Sequence, residues 1–402
     1  MKALILAAGG GNNMAPFSST RPKSMMYVAG RPILYRSLQM LKESGFNDVI
    51  CVMSPLGRSI TGYFGSGQNM GMGISYVQQK KQAGIGDAIL AAKGKFTPGE
   101  HFLLVYADVV TDDNMVRNVL QTFGLGGKPT AAICLPAESG SFGNVYLDNT
   151  MNITKIVEKP QRKDLGNYVL AGIYVLPYSF FGLLEKNRSD MAKALAELIK
   201  SDGIKAAMWE KGWIDIGYPW DILAANKMVM DTWTHARVHQ SVRMRDAKIK
   251  GPVVIEEDAE IRSGSIIEGP AFIGRGTYIG NNVLVRKYSS LGPRSVIGYG
   301  VELKNCVLTG GGRVGRLSFI GDSVIGEGVD VGSGIVTVNN NMDGSTVDVR
   351  INRKALNSNM VKLGAFVGDG CRLGAGHTIA PGSIIEPGTV VPHHFTYPKG
   401  AK

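Results

Sequence analysis

The sequence predicts an α/β, Rossmann-like domain followed by an all-β parallel β-helix built from hexapeptide repeats. Two observations support this: apolar runs alternate with amphipathic stretches up to about residue 230, and an aliphatic residue recurs every sixth position from Ile249 onward. A chain of 402 residues is also too long for one compact core. We therefore predict a first domain over residues 1–230, a helical linker over 231–248 and a β-helix over 249–402.

The first domain is predicted to contain a mostly parallel sheet with helices on both faces, because strands and helices alternate along the chain. In such sheets, ligands bind at the carboxyl ends of the strands. The predicted buried strands are Ala3–Ala8, Asp48–Met53, Phe102–Tyr106, Thr130–Leu135 and Gly172–Leu176, and the predicted helices are Pro32–Ser44, Gly86–Lys93 and Asp113–Thr122.

The second domain is predicted from the period of its aliphatic residues. Each unit of six gives a short strand and a turn, and three units close one triangular coil whose inward side chain stacks on the next coil. The repeat is predicted to slip by four residues across Gly310–Gly312 and to pause again before residue 361. The inward positions are Ile249, Ile255, Ile261, Ile267, Ile273, Ile279, Val285, Leu291, Ile297, Leu303, Phe319, Ile325, Val331, Val361, Val367, Leu373, Ile379, Ile385 and Val391. Such a repeat can be a scaffold or a trimerisation element without any catalytic role.

Composition limits the partners. The net charge of +11 suits either nucleic acid or acidic small molecules, and no nucleic-acid-binding motif is present, so phosphorylated metabolites are the better fit. The four cysteines are scattered without a CxxC pair, which argues against a zinc site or a disulfide framework. The N-terminal apolar run is too short for a membrane span and lacks the layout of a signal peptide. We expect a soluble cytoplasmic protein.

The glycines Gly9–Gly11 directly follow the first predicted strand. Without Cβ atoms, such a loop lets backbone N–H groups close around phosphate oxygens. No Gly-Lys-Ser/Thr follows, and Met14 stands where a dinucleotide fingerprint needs its last glycine, so both of those motifs are excluded. Taken alone, the loop fits a phosphate site or an ordinary turn equally well.

The wider pattern resembles the signature of sugar-1-phosphate nucleotidylyltransferases. It consists of LAAGGG and STRPKSMMYVAGRPI, the stretch Gln82–Ala88, Ala107-Asp108, Phe142-Gly143, Glu158-Lys159-Pro160, Ala171–Tyr174 and Trp213–Gly217, in family order. Together with the hexapeptide half, the sequence is most similar to the two-domain type with a C-terminal left-handed β-helix. Bifunctional N-acetylglucosamine-1-phosphate uridylyltransferases exemplify that type, and glucose-1-phosphate thymidylyltransferases are also similar.

This resemblance implies that a sugar 1-phosphate attacks the α-phosphorus of a nucleoside triphosphate, UTP or dTTP, and that pyrophosphate leaves. It implies three catalytic residues: Lys23 would hold the phosphates, and Asp108 and Asp215 would hold Mg²⁺. The simpler alternatives are a solvated surface lysine and aspartates that cap helices or turns.

The resemblance also implies nucleotide-binding residues, namely Leu6, Ala8, Gly9, Gly11, Asn13, Gln82 and Gly84. The Gln82 amide would pair with the edge of a pyrimidine base. The sugar-binding residues implied are Gly143, Glu158, Lys159 and Leu170. Glu158 and Lys159 could equally form an ordinary surface ion pair.

The sequence departs from the family pattern at four positions. Asn13 stands where the family has a loop arginine, which removes a positive charge and a bidentate donor. Ile85 replaces the usual threonine, and Leu170 replaces an asparagine often found in the sugar pocket. In the β-helix, Arg316 replaces the histidine of acetyltransferase relatives, and a guanidinium cannot accept a proton from an amine. Asn339 and Lys362 lie in stretches that resemble the rest of that second site.

Three functions follow from these residues. The first is an active nucleotidylyltransferase with an atypical phosphate loop and without acetyltransferase activity. The second is a catalytically weak or inactive paralogue that binds sugar nucleotide and regulates or scaffolds an active partner. The third, an acyltransferase with a decayed first domain, is disfavoured by Arg316. A homotrimer through the β-helix is expected from the resemblance, while the base and the sugar stay open.

Overall fold

The computed structural model describes residues 1–80, 83–135, 142–158 and 166–394. The chain divides into two compact units. The first contains Met1–Gly10, Arg21–Met25 and Pro32–Asp215, and the second contains Gly11–Thr20, Met26–Arg31 and Ile216–Lys402. The second unit therefore includes two short segments from the N-terminal part of the sequence.

The strands up to residue 215 are β1 Lys2–Ala7, β2 Tyr27–Val28, β3 Arg31–Pro32, β4 Asp48–Met53, β5 Gly73–Gln78, β6 His101–Tyr106, β7 Val109–Thr111, β8 Thr130–Cys134, β9 Asn144–Leu147, β10 Ile153–Val157, β11 Tyr168–Pro177, β12 Lys205–Trp209 and β13 Trp213–Asp215. The α-helices are α1 Ile33–Glu43, α2 Arg58–Phe64, α3 Ile85–Ala91, α4 Met115–Gly124, α5 Phe180–Lys186, α6 Met191–Ser201 and α7 Asp221–Asp231. Every strand and helix predicted for the first domain is confirmed, with small shifts at the ends.

The main sheet has the order β10-β9-β11-β6-β1-β4-β5, and β8 joins it by pairing with β11 and β12. Strand β1 lies between β4 and β6 and is parallel to both. Strand β11 runs antiparallel to β6 and β8, so the sheet is mixed, and the predicted parallel arrangement holds only for part of it.

The residues of β1 alternate between two hydrophobic clusters on opposite faces of the sheet. Ala3, Ile5 and Ala7 belong to one cluster, and Leu4 belongs to the other. Because both faces are covered, the strand reads as a continuous apolar run instead of alternating with polar residues.

Gly86 lies in the first turn of α3 and is buried, and a Cβ atom built there would fall well inside van der Waals contact with the Ser189 carbonyl oxygen. We expect Gly86→Ala to lower the free energy of unfolding by about 2 kcal/mol or more, because backbone atoms cannot step aside as a flexible side chain can. Gly94→Ala is the matched control, since a Cβ there meets no atom within 4 Å. Urea unfolding measures both variants, and equal stability of the two would contradict this packing.

The second half forms the predicted left-handed parallel β-helix, whose coils have three faces. The first face contains β14 Arg237–Val238, β17 Val253–Ile255, β20 Ala271–Ile273, β23 Ser289–Leu291, β26 Val307–Gly310, β29 Val324–Glu327, β34 Phe366–Val367 and β37 Ile384–Ile385. The second contains β15 Arg243–Met244, β18 Glu260–Ile261, β21 Tyr278–Ile279, β24 Val296–Ile297, β27 Arg313–Val314, β30 Asp330–Val331, β35 Arg372–Leu373 and β38 Val390–Val391. The third contains β16 Lys248–Lys250, β19 Ile266–Glu268, β22 Leu284–Val285, β25 Glu302–Lys304, β28 Phe319–Gly321, β31 Val336–Thr337 and β36 Thr378–Ile379.

The helical linker predicted over residues 231–248 is wrong, because α7 ends at Asp231 and the β-helix has already begun. Strands β14, β15 and β16 pair in parallel with the next coil and form a first coil of their own. Most residues of β14–β16 are exposed, since this coil is covered on one side only. Because these three strands are mostly polar, the hexapeptide repeat could not be recognised there from the sequence.

The predicted slip at Gly310–Gly312 is also wrong. Leu308 lies over Leu291, and Ile320 lies over Leu303, so the coils continue through two sides of only five residues, Leu303 to Leu308 and Ile320 to Ile325. Ile320 therefore points inward, where Phe319 was predicted, and Val361 is exposed instead of buried.

Between β31 and β34 the chain leaves the coil and forms a hairpin of β32 Asp348–Ile351 and β33 Lys354–Asn357. None of the helices in the described part of the chain combines the length and apolar character needed to cross a lipid bilayer.

Candidate active site

Asp108 and Asp215 are brought together by a small sheet outside the main one. Asp108 lies two residues beyond the end of β6, and the chain then enters β7. Strand β7 pairs antiparallel with β13, and this register sets Asp215 opposite Val109, the neighbour of Asp108. The sequence did not reveal this two-stranded pairing.

Lys23 lies between the two carboxylates, in a short 3₁₀ helix spanning Lys23–Met25. Its Nζ is 2.8 Å from Asp108 Oδ2 and 3.6 Å from Asp215 Oδ1. The lysine side chain is 13% exposed, whereas the two aspartate side chains are 30% and 31% exposed, so the lysine is the member best shielded from water. We call Lys23, Asp108 and Asp215 the ion triad. Its geometry shows that one cation can reach both carboxylates.

The donors of the ion triad suit Mg²⁺, which takes one or two carboxylates and completes its shell with phosphate oxygens and water. Within the described ranges, no group of three or more His, Cys, Asp or Glu side chains is placed to hold a metal alone. A metal at Asp108 and Asp215 would therefore complete its shell with water or with substrate oxygens.

The Asp215 carboxyl has an unusual proton affinity. Burial, together with the negative charge of Asp108, raises its pKa from 3.8 to about 6, while the Lys23 ammonium opposes this rise. The folded protein therefore binds more protons than the unfolded chain between about pH 4 and pH 6. The contribution of Asp215 to stability consequently falls as pH rises through that window.

In Mg²⁺-free protein we expect the Asp215 carboxyl to titrate near pH 6, as followed by its ¹³C chemical shift. Lys23→Met should move this midpoint to higher pH, because the variant removes the charge that favours the carboxylate. Asp113, whose pKa is lowered by Lys211, is the internal control and should not respond to that substitution. A midpoint that stays in place, or moves to lower pH, would contradict the proposed contact.

A cavity of about 230 Å³ adjoins the ion triad and is lined by Asp108 and Asp215. Gly143, Glu158 and Leu170, three of the predicted sugar-binding residues, line the same cavity. A Cβ atom at Gly143 would be 3.0 Å from Glu158 Oε1 and 3.5 Å from Leu170 Cδ1, so the absence of a side chain at Gly143 leaves room for both side chains.

Aromatic residues that the sequence analysis did not assign to the site complete the cavity. Tyr106 and Tyr174 are hydrogen-bonded to each other, and burial raises the pKa of both phenols, so they stay protonated. Trp213 packs edge-on against Phe142 at 5.2 Å between ring centroids and donates its indole N–H to the Ala171 carbonyl at 3.1 Å. The sequence feature that could have indicated Tyr106 and Tyr174 is the presence of a tyrosine in each of two otherwise apolar strands.

The predicted nucleotide-binding residues of the first unit lie at the end of β1 and the start of α3. The Leu6 carbonyl accepts a hydrogen bond from the Ala107 N–H at 3.1 Å, and Ala8 is buried. Gly9 is exposed, and a Cβ there would meet no atom within 4 Å, so protein packing does not account for this glycine. Gly84, with φ of +103°, accepts a hydrogen bond from the buried Gln79 amide at 3.1 Å.

Gly11 and Asn13 belong to the second unit. Gly11 has a positive φ of 61°, and Asn13 is exposed. Gln82 and Lys159 lie outside the described residues, so their predicted roles stay predictions.

Arg316, the residue at the position of the acetyltransferase histidine, lies on an exposed turn of the β-helix. Asn339 donates to Asp322 Oδ2 at 2.5 Å, and Lys304 Nζ is 3.0 Å from the same oxygen. Asn339 therefore braces two neighbouring coils through this buried carboxylate.

Comparison with known proteins covers both halves. Residues 2–232 match the family model described as nucleotidyl transferase, and residues 267–361 match the model described as GMPPB C-terminal domain. A bifunctional sugar-1-phosphate nucleotidylyltransferase/acetyltransferase of Sulfurisphaera tokodaii is 35% identical, over 93% of this chain and 91% of that protein. The bifunctional protein GlmU of Methanocaldococcus jannaschii is 32% identical, over 93% and 89%.

Two solved structures resemble a little more than half of this chain in fold. A putative glucose-1-phosphate thymidylyltransferase from Bacillus anthracis has a TM-score of 0.53 at 21% identity, covering 57% of this chain and 95% of that one. A UTP-bound UGPase from Acinetobacter baumannii has a TM-score of 0.51 at 23% identity, covering 56% and 91%.

Proposed function

Because the chain belongs to the nucleotidyl transferase family, and within it resembles the two-domain sugar-1-phosphate nucleotidylyltransferases, we propose that it transfers a nucleotidyl group from UTP or dTTP to a sugar 1-phosphate. The products are a sugar nucleotide and pyrophosphate. The observation that carries this proposal is the ion triad, in which Lys23 Nζ lies within 3.6 Å of both Asp108 and Asp215 at the mouth of a sugar-sized cavity.

In the proposed reaction, a phosphate oxygen of the sugar 1-phosphate forms a bond to the α-phosphorus, and the bond from that phosphorus to the pyrophosphate oxygen breaks. The attacking phosphate is already ionised, so the protein positions and neutralises charge and does not need a general base. Asp108 and Asp215 would hold Mg²⁺, which shares the negative charge of the phosphates when bound. Lys23 would donate to phosphate oxygens, and Glu158 would accept from sugar hydroxyls.

A second candidate function is a sugar-nucleotide binding protein with little or no turnover. It is favoured by exposed, uncharged Asn13 and by the apolar side chains of Ile85 and Leu170, which line the cavity where hydrogen-bonding residues are usual. Acetyl transfer is not part of either proposal, because Arg316 offers no proton acceptor. The trimer through the β-helix is part of the first proposal, and sedimentation equilibrium tests it.

Pyrophosphate release from a panel of nucleoside triphosphates and sugar 1-phosphates with Mg²⁺ separates the two functions. We expect release that requires one sugar 1-phosphate, one pyrimidine triphosphate and the metal together. No release with any pair, combined with tight calorimetric binding of a sugar nucleotide, would replace the first proposal by the second.

A further inference from the structure

Part of the lining of the cavity beside the ion triad has no strong hydrogen-bonding group. It consists of Ile85 at the start of α3, Leu170 in β11, and Met191 and Leu195 in α6. Leu195 belongs to a buried hydrophobic cluster, and Leu170 and Met191 pack against that same cluster. We call these four residues the apolar lining. All of them, like the other residues around the cavity, belong to the first unit, so the site is formed within one compact body.

The backbone fixes Leu170 at this cavity. Its N–H donates to the Gly143 carbonyl at 3.0 Å. Directly after it, strand β11 bulges, because the register against β8 shifts between Leu170 and Tyr174, and Gly172 adopts a positive φ of 84°. The Leu170 side chain is half-buried and lines the cavity from this anchored position. A bound sugar therefore meets an aliphatic group there.

A sugar hydroxyl placed against the apolar lining would lose its water without gaining a partner. Leucine and isoleucine have neither donor nor acceptor, and a methionine sulfur is only a weak acceptor. Polar groups nearby are already engaged, since the Trp213 indole N–H donates to the Ala171 carbonyl, and Asp108 and Asp215 lie against Lys23. An unmade hydrogen bond of this kind weakens binding by a factor of about 10 to 100. A C–H group in the same place keeps its apolar contacts at no such cost.

We propose that the site takes a deoxy sugar 1-phosphate, in which a C–H group replaces the hydroxyl that would face the apolar lining, and that Leu170 determines this specificity. The inference rests on the proposed function. An acyl substituent fits less well, because its carbonyl needs a donor and the apolar lining has none. Glu158, which lines the same cavity, accepts from the hydroxyls that the sugar retains.

Pyrophosphate release from hexose 1-phosphates and their monodeoxy analogues, in the gluco, galacto and manno series, tests the proposal. We expect kcat/KM for at least one analogue to exceed that for its parent about tenfold or more. Leu170→Asn introduces an amide of similar size and should shift this ratio toward the parent by at least about tenfold. Leu147→Asn is the matched control, because Leu147 is a half-buried leucine of β9 that does not line the cavity, and it should leave the ratio unchanged. The ratio compares two substrates of one protein, so a general loss of stability does not produce the shift.

Two results would overturn the inference and leave the proposed function standing: parents that are used at least as well as all their analogues in every series, or a wild-type ratio in Leu170→Asn. If the wild type releases no pyrophosphate with any pair, calorimetric titration with the same sugar 1-phosphates decides the matter. At least tenfold tighter binding of an analogue than of its parent, lost in Leu170→Asn, then supports the inference without the function. Equal or unmeasurable binding refutes it.

Discussion

Asp108→Ala is expected to lower kcat for pyrophosphate release by at least about 10³-fold at saturating substrates and Mg²⁺. Asp108 is one of two carboxylates within reach of a shared cation, and it makes the shorter contact to Lys23, at 2.8 Å. Alanine removes one of the two proposed metal ligands and also the carboxylate that lies 2.8 Å from the lysine. Raising the Mg²⁺ concentration should recover only part of the loss, because the remaining carboxylate binds the metal with fewer ligands.

Asp113→Ala is the matched control for this substitution. Asp113 follows Asp108 by five residues and is also paired with a lysine, Lys211, but it is exposed and does not line the cavity. Its loss should leave kcat within about twofold, as for most surface changes. An Asp108→Ala variant that keeps a tenth of the wild-type rate, or an equal loss in the control, would contradict the assignment of Asp108.

Lys23→Met is expected to lower kcat by about 10²- to 10³-fold and to raise the KM for the triphosphate. Methionine keeps the length and most of the apolar contacts of the side chain and removes only the charge. The effect should be large because Lys23 is mostly buried beside two carboxylates, in a place where water replaces a lost charge poorly.

Lys211→Met is the matched control for Lys23→Met. Lys211 also lies against an aspartate, yet its side chain is 59% exposed, so Lys211→Met should change neither kcat nor KM noticeably. Lys23→Met should raise the inhibition constant for pyrophosphate by about the same factor as it raises the KM for the triphosphate. A Lys23→Met variant that keeps the wild-type kcat and the wild-type KM for the triphosphate would mean that Lys23 does not act on the phosphates.

The sequence was sufficient for the fold because the two halves bury their side chains with different periods. Strands covered on both faces gave continuous apolar runs, and the β-helix gave an aliphatic residue every six positions. The predictions for the β-helix were wrong where the six-residue repeat is interrupted or weak although the coil itself continues. The five-residue step from Leu303 to Leu308 shifted the apparent phase, and the exposed first coil carried too few aliphatic residues to be recognised.

Short motifs predicted the residues of the ion triad, whereas contacts between distant parts of the chain were not predicted. Lys23, Asp108 and Asp215 were named from sequence and lie together in the structure. The contacts of Asn352 and Asp369 with the N-terminal segment join residues more than 300 positions apart, and no local pattern records such pairs. The pairing of β7 with β13 was missed because each strand has only three residues.

Anomalous diffraction from a crystal containing Mn²⁺ and a pyrimidine nucleoside triphosphate tests the central claim most directly. We expect an anomalous peak within about 2.3 Å of carboxylate oxygens of both Asp108 and Asp215, with Lys23 Nζ turned onto a phosphate oxygen. Bound nucleotide whose manganese lies away from both aspartates would contradict the account, as would nucleotide bound at a place that Lys23 does not reach.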